Sequence, residues 1–499
     1  MAEARTQPGW GAAFAATVAI LLWRAVELAA SPLNLSFDEA QYWSWALDPA
    51  WGYFSKPPLV AWAIAATTAL FGDGEWAIRL GSPLAHAGTG LAIFALARRL
   101  AGGRAALIAM LLFLTLPGVT VSAMLISTDP FLMCAWGWAL VALHAALSAE
   151  GEGRRALPAW LGLGLAIGVG MLAKYAMVAF VGGMLVATLW VPGWRRVWLR
   201  PGPWLALALG AAVFAPNVAW NAANGFVSFH HTQANANLGD SGFHPGNGLA
   251  FFGAQFGVFG PIPFAALLAL AWAALRRPAS ADTRFLAAFV LPILAVMTVE
   301  GFLSRANANW SAPAYVAGSV WVVTALWPRR QVWVKAAIAL HLAVALVLLN
   351  FDGIAGAVGF DLTARTDPIK RVRGWDRLGQ ALARTLAPDV AAGAVLAFDE
   401  RKTLTPMLYY LPPPQPPLAK WNPDGRIDDH YDLTADLKGY VGREVVLATR
   451  KDDVAEFAGA FSGPVRGPVS VSVPIHKDYA IRLNLYRMGR FTGYPASAR

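Results

Sequence analysis

Long apolar runs, separated by short polar breaks, alternate along most of the chain. They lie near 11–30, 78–97, 104–121, 130–148, 158–173, 175–191, 203–220, 249–274, 284–301, 311–327 and 332–350. A run of about 20 apolar residues matches the hydrocarbon thickness of a bilayer when coiled as a helix. The pattern therefore predicts an all-α polytopic membrane domain of about eleven spans. The segment Pro57 to Phe71 is apolar but only 15 residues long, so it reads as an interfacial or re-entrant helix. From Phe351 onward the pattern changes: charged residues, prolines and short β-like runs appear at Ala394–Phe398, Glu444–Thr449 and Tyr479–Tyr486, with a helical signal at Trp375–Leu386. This predicts a membrane domain over 1–350 and a small α/β soluble domain over 351–499. Pro412 to Pro417 reads as a stiff surface loop.

Charge orients the spans. Arg98-Arg99 with Arg104, Arg154-Arg155, Arg195-Arg196 with Arg200, Arg276-Arg277 with Arg284, and Arg329-Arg330 with Lys335 fall in every second loop, and Arg5 precedes the first span. Cytoplasmic loops of membrane proteins are enriched in Lys and Arg. This assignment puts the amino terminus inside, the carboxyl-terminal domain outside, and the loop 31–77 on the outer face. Leu28-Ala29-Ala30-Ser31 faintly resembles a signal-peptide cleavage site, but Arg24 and Glu27 interrupt the apolar region and the charge pattern requires an uncleaved first span.

Composition agrees with the pattern: 57% of residues are hydrophobic and 14% charged, against about a quarter charged in soluble domains. The net charge of +10 resides largely in the loop clusters, which argues against a nucleic-acid partner. The single cysteine, Cys134, allows no intrachain disulfide. No phosphate-binding loop of the Walker type occurs, which disfavours an ATP-driven pump.

The charges left on the outer side are the chemically informative ones. Asp38 and Glu39, in Phe37-Asp38-Glu39-Ala40-Gln41-Tyr42-Trp43, follow the first apolar run, and Lys56-Pro57-Pro58 follows them. Charge near hydrocarbon is costly, so its retention points to a site. Glu75, Arg79, Asp129, Lys174, Glu300 and Arg305 sit at a similar level. Carboxylates and cations enclosed by apolar helices suit an anionic lipid-linked substrate, the cations holding phosphate and a carboxylate taking a proton from an attacking hydroxyl. Structural readings compete: Asp38 and Glu39 could cap a helix, Lys56 and Lys174 could snorkel, Glu75 and Arg79 have the spacing of an ion pair, Asp129 after Ser127-Thr128 could open a helix, and Arg305 could sit in a plain loop. His230-His231, with no nearby carboxylate or cysteine, is a weak metal signal.

Phe37 to Trp43, then Gly52-Tyr53-Phe54-Ser55-Lys56-Pro57-Pro58-Leu59, then Glu75-Trp76-Ala77-Ile78-Arg79-Leu80, with Ser127-Thr128-Asp129-Pro130 and Leu172-Ala173-Lys174 in order, resemble the GT-C membrane glycosyltransferases, in their protein O-mannosyltransferase/aminoarabinose-transferase-like branch. The loop is also similar to that of rhizobial lipopolysaccharide galacturonosyltransferases. The resemblance covers the membrane portion. It implies a GT-C fold in the bacterial inner membrane and an inverting transfer of sugar from a polyprenyl-phosphate donor to an envelope lipid or glycan on the periplasmic side. It further implies Asp38 as base with Glu39 as its supporting neighbour, and Lys56 on the donor phosphate. Beside these, Arg79 and Arg305 are expected to help hold the phosphate, and Gln41, Tyr42, Asp129, Lys174, His230, His231 and Asn309 are expected as substrate contacts. No cofactor is required; a monomer is expected. Aminoarabinose transferases tend to carry Arg where this chain has Gln41 and an acid where it has Ser55, which disfavours both that donor and a bound divalent metal. Protein O-mannosyltransferase activity is the alternative within the family. A secondary transporter is the non-enzymatic alternative, but it would place its charges at the bilayer midplane in repeated halves, and a ligase or polymerase using pyrophosphate-linked donors is a further enzymatic one.

Overall fold

The computed structural model describes residues 8–235 and 242–495; Arg5 lies outside the described residues. The chain divides into two compact units, one comprising 1–30, 50–52 and 56–351, the other 31–49, 53–55 and 352–499. The loop after the first span is thus shared between them.

In chain order the helices are α1 (Trp10–Ala30), α2 (Phe37–Ala46), α3 (Leu59–Phe71), α4 (Glu75–Arg79), α5 (Gly81–Thr115), α6 (Pro117–Ala123), α7 (Thr128–Gly151), α8 (Leu157–Ala173), α9 (Val178–Trp190), α10 (Pro201–Ala223), α11 (Val227–Asn235), α12 (Pro245–Val258), α13 (Pro261–Arg276), α14 (Ala281–Ala288), α15 (Leu291–Leu303), α16 (Ala314–Leu326), α17 (Gln331–Leu349) and α18 (Phe351–Ala357). The rest are α19 (Trp375–Ala391), α20 (Arg401–Tyr410), α21 (His430–Thr434) and α22 (Ala455–Ala458), interleaved with strands β1 (Val395–Phe398), β2 (Leu418–Lys420), β3 (Glu444–Thr449), β4 (Phe461–Ser462), β5 (Arg466–His476) and β6 (Tyr479–Phe491).

The first unit is helical and multi-span. Helices occupy every apolar run read from the sequence, but among the described residues six stretches are long and apolar enough to cross a bilayer, or seven if the bent pair α12–α13 is one span. The runs at 158–173, 175–191 and 311–327 form helical stretches shorter than 18 residues. The two runs at 78–97 and 104–121 join as one helical stretch broken at Gly102, where φ is +80°. The run at 249–274, expected as a single span, turns through 115° between α12 and α13. Gly260, with φ of +88°, makes that turn, and a Cβ there would run into His341. Only glycine enters such a backbone without strain. Bulky side chains of α5, α7, α9 and α16, including Phe94, Phe113, Trp136, Phe180 and Tyr315, fill the core of this unit.

The second unit is a six-stranded sheet in the order β2-β1-β3-β6-β4, with β5 also on β6. β1 runs parallel to β2 and β3, and β6 is antiparallel to β3, β4 and β5. Strand alternation sorts the side chains. Leu396, Phe398, Val446 and Ala448 pack with Leu378 and Leu382 of α19 and Leu404 and Met407 of α20, while Val395, Ala397, Val445 and Leu447 join Phe457 and Met488 on the other face. The three expected strands and the α19 signal are present. β2, β4 and β5 were not read from the sequence: β2 and β4 are only three and two residues long, and β5, although Val469 to Val473 alternates with serine, is bracketed by Pro468 and Pro474, which argue against a strand.

Residues 31–49 belong to this unit through α2. Trp45 stacks on Tyr53 with ring centroids 4.6 Å apart, and His430 meets both rings edge-on. Burial holds the His430 imidazole down to about 4. Its folded value lies below its ordinary one, so its neutral form supports the fold fully above about pH 6.5, and that support is lost as pH falls toward 4. Melting of the purified protein is expected to weaken over this range by up to about 1 kcal/mol per pH unit. The His430→Phe variant should lose that slope; an unchanged slope would remove His430 as its source.

Candidate active site

In the second unit, Ser36 opens α2 with a capping box: the Glu39 amide donates to Ser36 Oγ at 3.3 Å, and the Ser36 amide donates to Glu39 Oε2 at 2.9 Å. This satisfies donors that the first turn of a helix leaves open. Glu39 is 2% exposed. Its neighbour Asp38 is turned elsewhere, with half of its side chain exposed. Arg401, the first residue of α20, donates from Nη1 to Asp38 Oδ1 at 3.0 Å and to Gln41 Oε1 at 2.6 Å. Its guanidinium carbon lies 4.9 Å from the centre of the Phe37 ring. α20 packs along α2: Tyr409 meets Trp43 edge-on at 4.9 Å, and the Leu35 amide donates to the Tyr410 hydroxyl at 2.6 Å. Tyr42 is buried against Trp45. The Ser44 and Tyr431 hydroxyls are 3.0 Å apart.

In the first unit, the helical run breaks at Lys174, which is extended between α8 and the short 3₁₀ turn Tyr175–Met177. The break sends its side chain to Asp129: Lys174 Nζ lies 2.6 Å from Asp129 Oδ1, and Asn309 Nδ2 donates to Asp129 Oδ2 at 2.7 Å. Ser127 makes no side-chain cap to α7. Asp129, 9% exposed, is therefore bound by a cation and an amide rather than spent on helix capping. Close by in sequence to that break, Tyr175 donates to Asn217 Oδ1 at 3.2 Å and accepts from Asn221 Nδ2 at 3.3 Å, while Asn217 Nδ2 donates to the Trp51 carbonyl at 2.7 Å.

Lys56 is half-buried and directly precedes Pro57-Pro58 and α3. One face of α3 (Leu59, Ala63, Ala66, Thr67) lines an apolar cavity of about 600 Å³ with Leu84 of α5, Phe131, Cys134 and Trp138 of α7, and Leu165 and Val169 of α8. No charged side chain lines it. Arg79 ends α4 and is 1% exposed.

Three comparisons bear on this arrangement. Residues 55–220 match the family model described as dolichyl-phosphate-mannose-protein mannosyltransferase. The lipid A galacturonosyltransferase RgtD of Rhizobium johnstonii is 36% identical over 313 residues, 62% of this chain and 64% of that relative. The crystal structure of ArnT from Cupriavidus metallidurans in the apo state matches 97% of this chain and 98% of its own with a TM-score of 0.62 at 18% identity. The chain therefore has the fold of that ArnT structure. The likeness read from the outer-loop motifs is borne out, including its aminoarabinose-transferase-like branch: an undecaprenyl phosphate-alpha-4-amino-4-deoxy-L-arabinose arabinosyl transferase of Pseudomonas fluorescens is 33% identical over 168 residues, 33% of this chain and 30% of that protein. The matched stretch thus spans less than two thirds of these curated relatives.

The predicted residues fall into separate groups. Asp38, Glu39, Gln41 and Tyr42 belong to the second unit, and Lys56, Arg79, Asp129, Lys174, His230, His231, Arg305 and Asn309 to the first. Asp129, Lys174 and Asn309 meet directly, although 45 and 180 residues of chain separate Asp129 from its partners. Arg305 is exposed, in the segment between α15 and Asn309. His230 is exposed on α11, and His231 Nε2 lies 2.9 Å from Asn235 Nδ2 on the same helix. Among the described residues no three His, Cys, Asp or Glu side chains are placed to hold a metal ion. Arg401 is the functional candidate that sequence reasoning missed.

Proposed function

We propose that this chain is an inverting glycosyltransferase that moves a sugar from a polyprenyl-phosphate donor to an envelope lipid or glycan on the periplasmic side of the bacterial inner membrane. The observation that carries the reading is the uncharged cavity lined by α3, the helix that starts just past Lys56. A prenyl chain needs an apolar channel, and its phosphate needs a cation at the channel's head. ArnT of Cupriavidus metallidurans has been crystallised with undecaprenyl phosphate, a ligand of this shape and charge.

Asp38 is the general base. A proton passes from the acceptor hydroxyl to Asp38 Oδ2 while the hydroxyl oxygen bonds to the anomeric carbon. The bond from that carbon to the phosphate oxygen breaks, and polyprenyl phosphate departs with its charge held by Lys56, helped by Arg79 and Arg305. Attack opposite the leaving group inverts the anomeric centre, so a single carboxylate suffices. Glu39 supports Asp38 by fixing the start of α2. Asp129, Lys174 and Asn309 form a preset polar trio for sugar hydroxyls, and the two histidines and Tyr42 contribute substrate contacts. The donor is already activated, so no cofactor enters. The basic-loop pattern gives eleven crossings, with the short helices α8, α9 and α16 each counted as one, and sets the carboxyl-terminal unit in the periplasm.

The test uses the purified protein in lipid nanodiscs with undecaprenyl-phosphate-linked galacturonate, aminoarabinose or mannose, and lipid A as acceptor, read by mass spectrometry. Transfer from at least one donor with inversion is expected, and undecaprenyl phosphate should slow alkylation of Cys134 by an apolar maleimide. No transfer from any of the three, together with unprotected Cys134, would overturn the reading.

A further inference from the structure

We propose that Arg401, from the soluble region, is a positioning residue for Asp38, so that the carboxyl-terminal unit takes part in catalysis; this rests on the function proposed above. Asp38 sits at the second position of α2, where a carboxylate can swing between solvent and its own helix's amides. The capping box of Ser36 and Glu39 already serves that helix end. What fixes Asp38 instead is the Nη1 group of Arg401, which bonds Oδ1 and reaches Gln41 Oε1 on the same side of α2. The guanidinium thus spans positions i and i+3 of one helix, and Phe37 lies against its carbon. One oxygen is held and Oδ2 is left toward an incoming proton.

Arg401 is itself aimed. It opens α20, whose Leu404 and Met407 are buried in the sheet's core and whose Tyr409 and Tyr410 grip α2 and the segment before it. Among the described residues its Nε and Nη2 make no hydrogen bond, so Asp38 and Gln41 are the guanidinium's only hydrogen-bonding partners there. The ion pair is partly open to solvent, with 26% of the Arg401 side chain and 50% of the Asp38 side chain exposed. Such pairs add little to folding. An arginine aligned on an open carboxylate from a rigid helix is better suited to holding geometry than to holding the fold.

The experiment uses the full-length protein in nanodiscs with undecaprenyl-phosphate galacturonate and lipid A, or whichever of the three donors the wild type consumes. Arg401→Ala should lower kcat by about 10- to 100-fold through misplacement of the base, with KM for donor and acceptor changed by no more than about twofold. The melting curve should be unchanged. Arg401→Lys should regain part of the rate, and guanidinium ion added at millimolar concentration should restore turnover in Arg401→Ala but not in Asp38→Asn. Wild-type kcat in Arg401→Ala overturns the positioning role while leaving the glycosyltransferase reading intact. Lost activity with lowered melting and no guanidinium rescue overturns it in favour of a structural role. A wild type that consumes no donor overturns the functional reading, and this role with it.

Discussion

Asp38→Asn is expected to cut sugar transfer by about a thousandfold, within the range that general-base catalysis supplies, while the protein keeps its helical content and melting temperature. The expectation rests on two features of α2. The carboxylate is half exposed and held through one oxygen, so the amide isostere fits the same space and can still accept from Arg401 through its carbonyl. The helix start is secured by Ser36 and Glu39 and does not depend on Asp38. The asparagine cannot take the acceptor's proton, and the loss should therefore appear in kcat. Turnover near that of the wild type, measured with purified protein and the donor it consumes, would remove Asp38 from the role of base.

Lys56→Ala should act on the other side of the reaction. A hydrogen bond to a charged group contributes about 1.5–3 kcal/mol, which corresponds to a rise in donor KM of roughly 10- to 100-fold. The acceptor KM should stay near its original value, and Lys56→Arg should retain most donor use because a guanidinium also binds phosphate. The position matters: Lys56 precedes two prolines and the helix whose face lines the apolar cavity, and Leu59, three residues on, is among the lining side chains. Donor dependence equal to that of the wild type would end the assignment.

Much of the fold was legible because hydrophobicity alone places membrane helices. Helices form at each apolar run, and three of the sheet's strands lie at the short apolar runs read beyond residue 351. The span count was less legible. Helices of 13 to 17 residues at α3, α8 and α16 are too short for composition to decide whether they cross. The break at Gly260 was readable in principle, since Gly260-Pro261 is a turn dipeptide inside an apolar run, yet the run's length suggested one span.

At the site, residue types were readable and partnerships were not. Asp129 and Lys174 each stood out as a polar group at the edge of an apolar run, and Asn309 as an expected substrate contact. Nothing local showed that they meet, because three chain segments bring them together. The Ser36-Phe37-Asp38-Glu39 stretch fits the S-x-x-E pattern of a capping box, which assigns Glu39 to the helix start and singles out Asp38. Arg401 carried no signal. It lies 363 residues from Asp38 at the start of a short helix beside Lys402, where a surface arginine is ordinary, and only the packing of α20 on α2 gives it meaning.

That packing makes the protein less modular than its hydropathy profile suggests. A graft that exchanged everything after residue 351 for the tail of a relative would strand α2: Trp43 would lose Tyr409, Leu35 its tyrosine hydroxyl, and Asp38 its arginine. Residues 31–49 and 352–499 form one inheritable block. Chimeras that exchange the tail with that of a relative should cross over on both sides of residues 31–49 as well as before residue 352.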